Sequence, residues 1–138
     1  ETEFSYDPCY KVTREGKQVA IIAAGSFYQK GERVANLLKE HKVNATLINP
    51  RYLNAVDANT LEALKKNHRL VVTLEDGCKD GGFGERIASY YSTSDMKVLV
   101  GGVKKGLYDR FKVDELLADN RLLDNQIAED IMNILWKK

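Results

Sequence analysis

R-L-V-V-T-L-E-D-G-C-K-D-G-G-F-G-E-R-I, Arg69 to Ile87, is the stretch on which the reading of this chain turns. Leu70-Val71-Val72 is a nearly continuous apolar run, the signature of a parallel strand buried on both faces. Four glycines (Gly77, Gly81, Gly82, Gly84) and four acids (Glu75, Asp76, Asp80, Glu85) follow before Ile87-Ala88-Ser89-Tyr90-Tyr91 resumes a helical pattern. The stretch is therefore a strand, a glycine-rich joint and a helix. Three readings of the joint compete: a phosphate cradle, a catalytic acid loop, or a structural hinge between helix and sheet.

Working outward, strands are expected over Gln18 to Ala24, Val43 to Ile48, Arg69 to Leu74 and Lys97 to Val100. Helices are expected over about 29–41, 58–67, 83–91 and 124–136. Val34, Leu37 and Leu38 recur at helical spacing, as do Leu61 and Leu64, and Ile127, Ile131, Ile134 and Leu135. Pro50 closes the second strand, and Asp57 can cap the helix after it. Tyr10 to Thr13, a Gly16 turn and the strand from Gln18 read as an edge hairpin. Alternating strands and helices give an α/β fold of three layers: an open, mostly parallel sheet, helices on both faces and an antiparallel N-terminal edge hairpin. Residues 1–138 form a single domain, with 1–9 an irregular N-terminal segment.

Twenty-one basic residues face twenty acidic ones, a net charge of +1. That balance and the lack of a basic block argue against a nucleic-acid partner. The longest apolar run, Val19 to Ala24, is strand-sized, so no membrane partner is expected. Two cysteines, Cys9 and Cys78, are too few for a disulfide scaffold, and no signal peptide is visible in the opening E-T-E-F-S-Y-D. The expected compartment is the cytoplasm.

Each candidate chemistry has a bland counterpart. Gly81-Gly82-Phe83-Gly84 offers backbone amides near a helix N-terminus, which favours anions. It lacks both the G-x-G-x-x-G spacing and the Gly-Lys-Ser/Thr ending, and the acids around it repel phosphate. Close helix-to-sheet packing explains the glycines better. Glu75 and Asp76 point to opposite faces if they lie on a strand, so they are not a facing catalytic pair. His41 and His68 sit near helix C-termini, where capping suits them, and neither cysteine has metal-ligand spacing. Asp109 is read first as a helix cap and second as a binding residue. Tyr90-Tyr91 is a candidate subunit contact. No catalytic, cofactor-binding or metal residue is assigned; Arg51, Glu75, Gly81, Gly82, Gly84, Asp109 and Arg110 are carried forward as a candidate anion or interface site.

V-A-I-I-A-A-G-S (Val19 to Ser26), N-P-R-Y-L (Asn49 to Leu53), L-V-V-T-L-E-D (Leu70 to Asp76), the G-G-F-G joint and Y-D-R-F (Tyr108 to Phe111) occur in this order. Together they resemble the C-terminal domain of the transketolase family of thiamine-diphosphate enzymes, on the 1-deoxy-D-xylulose-5-phosphate synthase branch. The resemblance covers Arg14 to Leu135. Under it, Glu75 matches the acid ending the third strand, Arg51 the arginine after the second, and Gly81, Gly82 and Gly84 the joint. Asp109, Arg110 and Phe111 match a P-D-R-F segment, with Tyr108 in place of proline. Two departures are Lys112-Val113-Asp114, where E-H-G is usual, and Leu122-Leu123 for Gly-Leu.

The resemblance implies a domain that is not catalytic alone, supplying structure and a homodimer contact. In the parent, N-terminal and middle domains hold thiamine diphosphate and magnesium, and the G-D-G…N motif for that cofactor is absent here. The chain is thus expected to be one section of an enzyme. The parent reaction would join pyruvate and glyceraldehyde 3-phosphate into 1-deoxy-D-xylulose 5-phosphate, with loss of CO2, for isoprenoid and thiamine synthesis. A section of a transketolase or of an oxoacid dehydrogenase β-subunit, or a stand-alone binding module, are the alternatives. An interface left uncovered would show as an apolar patch near the tyrosine-rich helix.

Overall fold

Residues 10–23, 27–50, 58–78, 83–103 and 123–136 are described by the computed structural model of the chain. In chain order the elements are β1 (Lys11–Arg14), β2 (Gln18–Ala23), α1 (Tyr28–Glu40), β3 (Thr46–Asn49), α2 (Ala58–Leu64), β4 (His68–Cys78), α3 (Phe83–Tyr90), β5 (Lys97–Val103) and α4 (Asp124–Trp136). The five strands form one sheet in the order β1-β3-β2-β4-β5. β3, β2, β4 and β5 run parallel, and β1 is antiparallel. The fold class read from the sequence is therefore the one observed.

The apolar runs hide a two-residue alternation. Val19, Ile21 and Ala23 of β2, with Leu70, Val72 and Leu74 of β4, join one core with Val34 and Leu38 of α1 and Ile127, Ile131 and Leu135 of α4. Ala20, Ile22 and Val71 face the other way, into a second core with Leu61 and Leu64 of α2, Ile87 of α3 and Tyr91 just after it. Burying each large aliphatic side chain stabilises by about 1.5–3 kcal/mol. The order of strands sets the layers: the chain leaves β2 for β3 on one side, then crosses back over β2 to β4. A crossover of constant hand must then put α1 and α2 on opposite faces.

The expected edge hairpin is corrected in one respect. β1 does lie antiparallel at the edge, but it pairs with β3 (Lys11↔Asn49, Val12↔Ile48), not with β2. Both edges of β2 are occupied, by β3 and β4, so no ladder is open to β1 there. The link between β1 and β2 instead passes beneath the start of β3, where Lys17 N–H donates to Asn44 O at 2.9 Å. Gln18 enters β2 with a φ of 73°, in the left-handed region. A second difference is length. β4 runs on to Cys78 instead of ending at Leu74, with a register shift between those residues, because β5 continues beside it to Val103. Glu75 thus lies within the strand and does not end it.

Gly16 makes the passage under β3 possible. A Cβ there would stand 2.0 Å from Asn44 O and 2.7 Å from the Ala45 carbonyl carbon, both backbone atoms that cannot rotate aside. Gly16→Ala is expected to destabilise the domain by about 3 kcal/mol, the upper part of the usual overpacking range, read as a fall in the urea midpoint at constant m.

Candidate functional site

Parallel α/β sheets bind ligands beyond the carboxyl ends of their strands, where neighbouring crossovers diverge. In this sheet the divergence falls between β2 and β4. Of the candidate residues, Gly84 is described in full and Glu75 by its backbone, within β4. Arg51, Gly81, Gly82, Asp109 and Arg110 lie outside the described residues.

Gly84 sits in the first turn of α3, buried against the sheet. A Cβ on it would meet Thr73 Oγ1 at 2.5 Å and Val100 Cγ1 at 2.6 Å, so α3 approaches β4 and β5 as closely as only glycine allows. This supports the packing reading of the joint at the one of its glycines that is described in full. Thr73 is fully buried, and among the described residues its hydroxyl has no hydrogen-bond partner.

At the same end of the sheet, Asp124 opens α4 and binds two cations of α1: Lys30 Nζ at 2.8 Å and Arg33 Nε at 2.7 Å. Partial burial pushes the Asp124 carboxyl up, but the hydrogen bonds and charges of Arg33 and Lys30 outweigh it and hold it below its usual value. The triad locks the starts of two helices together over the core they share.

On the second face, the Tyr91 hydroxyl donates to Leu61 O at 2.7 Å, and burial raises its pKa. Tyr90 donates to Glu62, whose other partner is Lys65 at 3.0 Å. That carboxylate pushes the Tyr90 phenol up to about 12, while Tyr90 and Lys65 draw Glu62 down. The two rings meet edge to face with centroids 5.1 Å apart. Tyr91 is 1% exposed and belongs to the core. Among the described residues the exposed large apolar side chains are Val12 and Trp136, neither of them on α3.

The opposite, amino-terminal end of the sheet carries a polar chain that the sequence did not disclose. Gly16 N–H donates to Thr46 Oγ1 at 2.9 Å, and Thr46 Oγ1 lies 2.8 Å from His68 Nε2. His68 Nδ1 lies 3.1 Å from Leu64 O. A carbonyl only accepts, so Nδ1 carries the proton, Nε2 accepts, and the threonine hydroxyl donates to it. His68 thus caps the end of α2, as expected of a histidine near a helix C-terminus, and also ties β3 and the β1–β2 link to β4. Beside it, Lys65, Arg69 and Lys97 line a cleft of about 560 Å³ between the start of β4, the α3–β5 turn and the last turn of α4. These cations come from separate segments, which is why no sequence motif announced them.

Burial holds the His68 pKa below its ordinary value of 6.5, against the opposing pull of the Leu64 carbonyl. The unfolded chain therefore binds this proton more readily. Stability from the network is complete above pH 6.5, declines as pH falls below it, and levels off beneath the folded-state pKa. Urea unfolding across this window should show that slope, and His68→Gln should flatten it. Gly84→Val should cost about 1–3 kcal/mol in the same assay, as overpacking against Thr73 and Val100.

Comparison with known proteins accords with this architecture. The family model described as "Transketolase, C-terminal domain" matches residues 10–125. A 1-deoxy-D-xylulose-5-phosphate synthase from Crocosphaera subtropica is 35% identical over 128 residues, 91% of this chain and 20% of that protein. One from a Synechococcus species is 37% identical over 123 residues, 88% of this chain and 19% of that protein. The chain thus spans about a fifth of the length of these relatives. Among solved structures, one described as a split-gene transketolase, inactive β4 tetramer, has a TM-score of 0.82 at 24% identity, over 94% of this chain and 43% of that one. A Pichia stipitis transketolase mutant has a TM-score of 0.61 at 12% identity, over 90% of this chain and 17% of that one. By sequence and by fold, the chain belongs to the transketolase C-terminal domain family, related to the 1-deoxy-D-xylulose-5-phosphate synthases.

Proposed function

We propose that this chain is the C-terminal domain of a 1-deoxy-D-xylulose-5-phosphate synthase, where it supplies structure and subunit contact in a homodimer and turns over nothing by itself. The observation that carries the reading is the alignment of 91% of the chain with one fifth of such a synthase. The geometry is in keeping with it. Asp124, Glu62, Tyr91 and His68 each bridge two elements of the fold, so their polar atoms are committed to holding it.

Thiamine diphosphate with magnesium would belong to the N-terminal and middle domains. Among the described residues no group of three His, Cys, Asp or Glu side chains could hold a metal ion. No step of the parent reaction is assigned to these residues. Likeness to a split-gene transketolase motivates a second reading, in which the same structural role serves a transketolase.

The test mixes the chain with the N-terminal and middle domains from the same genome, with thiamine diphosphate and magnesium. The expected result is a stable complex that makes 1-deoxy-D-xylulose 5-phosphate from pyruvate and glyceraldehyde 3-phosphate, with no product when any part is omitted. Activity only with xylulose 5-phosphate and ribose 5-phosphate would replace the synthase with a transketolase. Turnover by the chain alone, or folded parts that neither associate nor react, would overturn the structural role.

A further inference from the structure

The cleft at the amino-terminal ends of β4 and β5 has a built chemistry that the structural role does not use. Its volume of about 560 Å³ lies within the range of small-molecule sites. Register fixes where Lys97 stands. Lys97 pairs with Leu70, whose side chain enters the α1–α4 core, so Lys97 leaves the sheet on that face. Arg69 precedes Leu70 at a register shift, where β2 advances one residue (Gln18 to Val19) and β4 two (His68 to Leu70). Both cations line the cleft at this end of the sheet.

Lys65 is matched by Glu62, and Lys30 and Arg33 by Asp124. Among the described residues neither Arg69 nor Lys97 has an ion pair, and both are exposed. Among the described residues the one acid lining the cleft is Asp95, also exposed. The last carbonyls of α4 add about half a negative charge, which with Asp95 still falls short of the two cations together. The balance that remains is positive and favours an anionic ligand over a neutral one. Arginine and lysine are suited to phosphate oxygens, the first as a planar fork and the second as a point charge.

The rest of the wall favours an organic phosphate over the bare ion. Partly buried Met96 and Ile134 give it an apolar side. The turn carrying Thr93 to Met96 is fixed in advance: Ser94 Oγ donates to Tyr91 O at 2.9 Å and accepts from Met96 N–H at 3.2 Å. A wall already ordered costs a ligand little to engage. We propose that this cleft binds a small organic phosphate, its phosphoryl oxygens between Arg69 and Lys97 and its carbon skeleton on Met96 and Ile134.

Phenyl phosphate, inorganic phosphate and phenol are the probes, titrated into the full chain with backbone amide shifts followed by NMR. Phenyl phosphate should shift the amides of Thr93 to Lys97 together with those of Ile134 and Leu135, and bind more tightly than inorganic phosphate or phenol. Arg69→Gln and Lys97→Gln should each weaken it by about tenfold, the usual worth of a charge-assisted contact. Asp95→Asn should tighten it. All three positions are exposed, and an unchanged thermal midpoint checks that the fold is kept. Equal affinity in the variants, no tightening with Asp95→Asn, or shifts centred on the first turn of α3 would each overturn the proposal.

Discussion

β2 and β4 have neighbours along both edges and helices over both faces, and this enclosure is the constraint on which the rest depends. Strands so placed meet water only at their ends, so successive side chains must serve two different cores. Val19 and Ala20, or Leu70 and Val71, are adjacent in sequence and part of separate layers. A fully buried aliphatic contributes about 1.5–3 kcal/mol, against about 0–1 for an exposed ion pair. The cores accordingly set where the helices lie. The polar links, Asp124 to α1 and His68 to Thr46, fix how their ends meet.

Those cores are what the sequence makes legible. Runs such as Val19 to Ala23 declare a strand buried on both sides, and Ile127, Ile131 and Leu135 declare a helix stripe, observed with the same bounds as expected. Pairing is less legible because turn residues report a change of direction without saying which edge is free. The Gly16 turn looks like that of a hairpin, yet β3 and β4 already occupy β2. The extension of β4 past Leu74 was masked by Gly77, which reads locally as a breaker, while β5 pairing continued the strand.

The candidate site was legible to a smaller degree. The tight-packing role of Gly84 could be inferred from its place after a strand and before a helix. Thr46 and His68 are 22 residues apart, and nothing in either neighbourhood names the other. Arg69 and Lys97 become a pair only once the register of β4 against β5 is known. The domain's His68 and Tyr91 side chains each join separate elements through a polar atom. Its cleft lies at the end of the sheet away from the crevice where such folds usually bind their ligands.

The pairing of β1 with β3 also bears on the order in which the chain folds. A hairpin partner would be found within microseconds, by closing a short loop. Here Lys11 meets Asn49, so β1 has no ladder to join until β2, α1 and β3 have assembled. β1 therefore cannot be seated before β3, although it precedes β3 in the chain. Until then the outer edge of β3, with its unpaired amides and carbonyls, stands open to other chains.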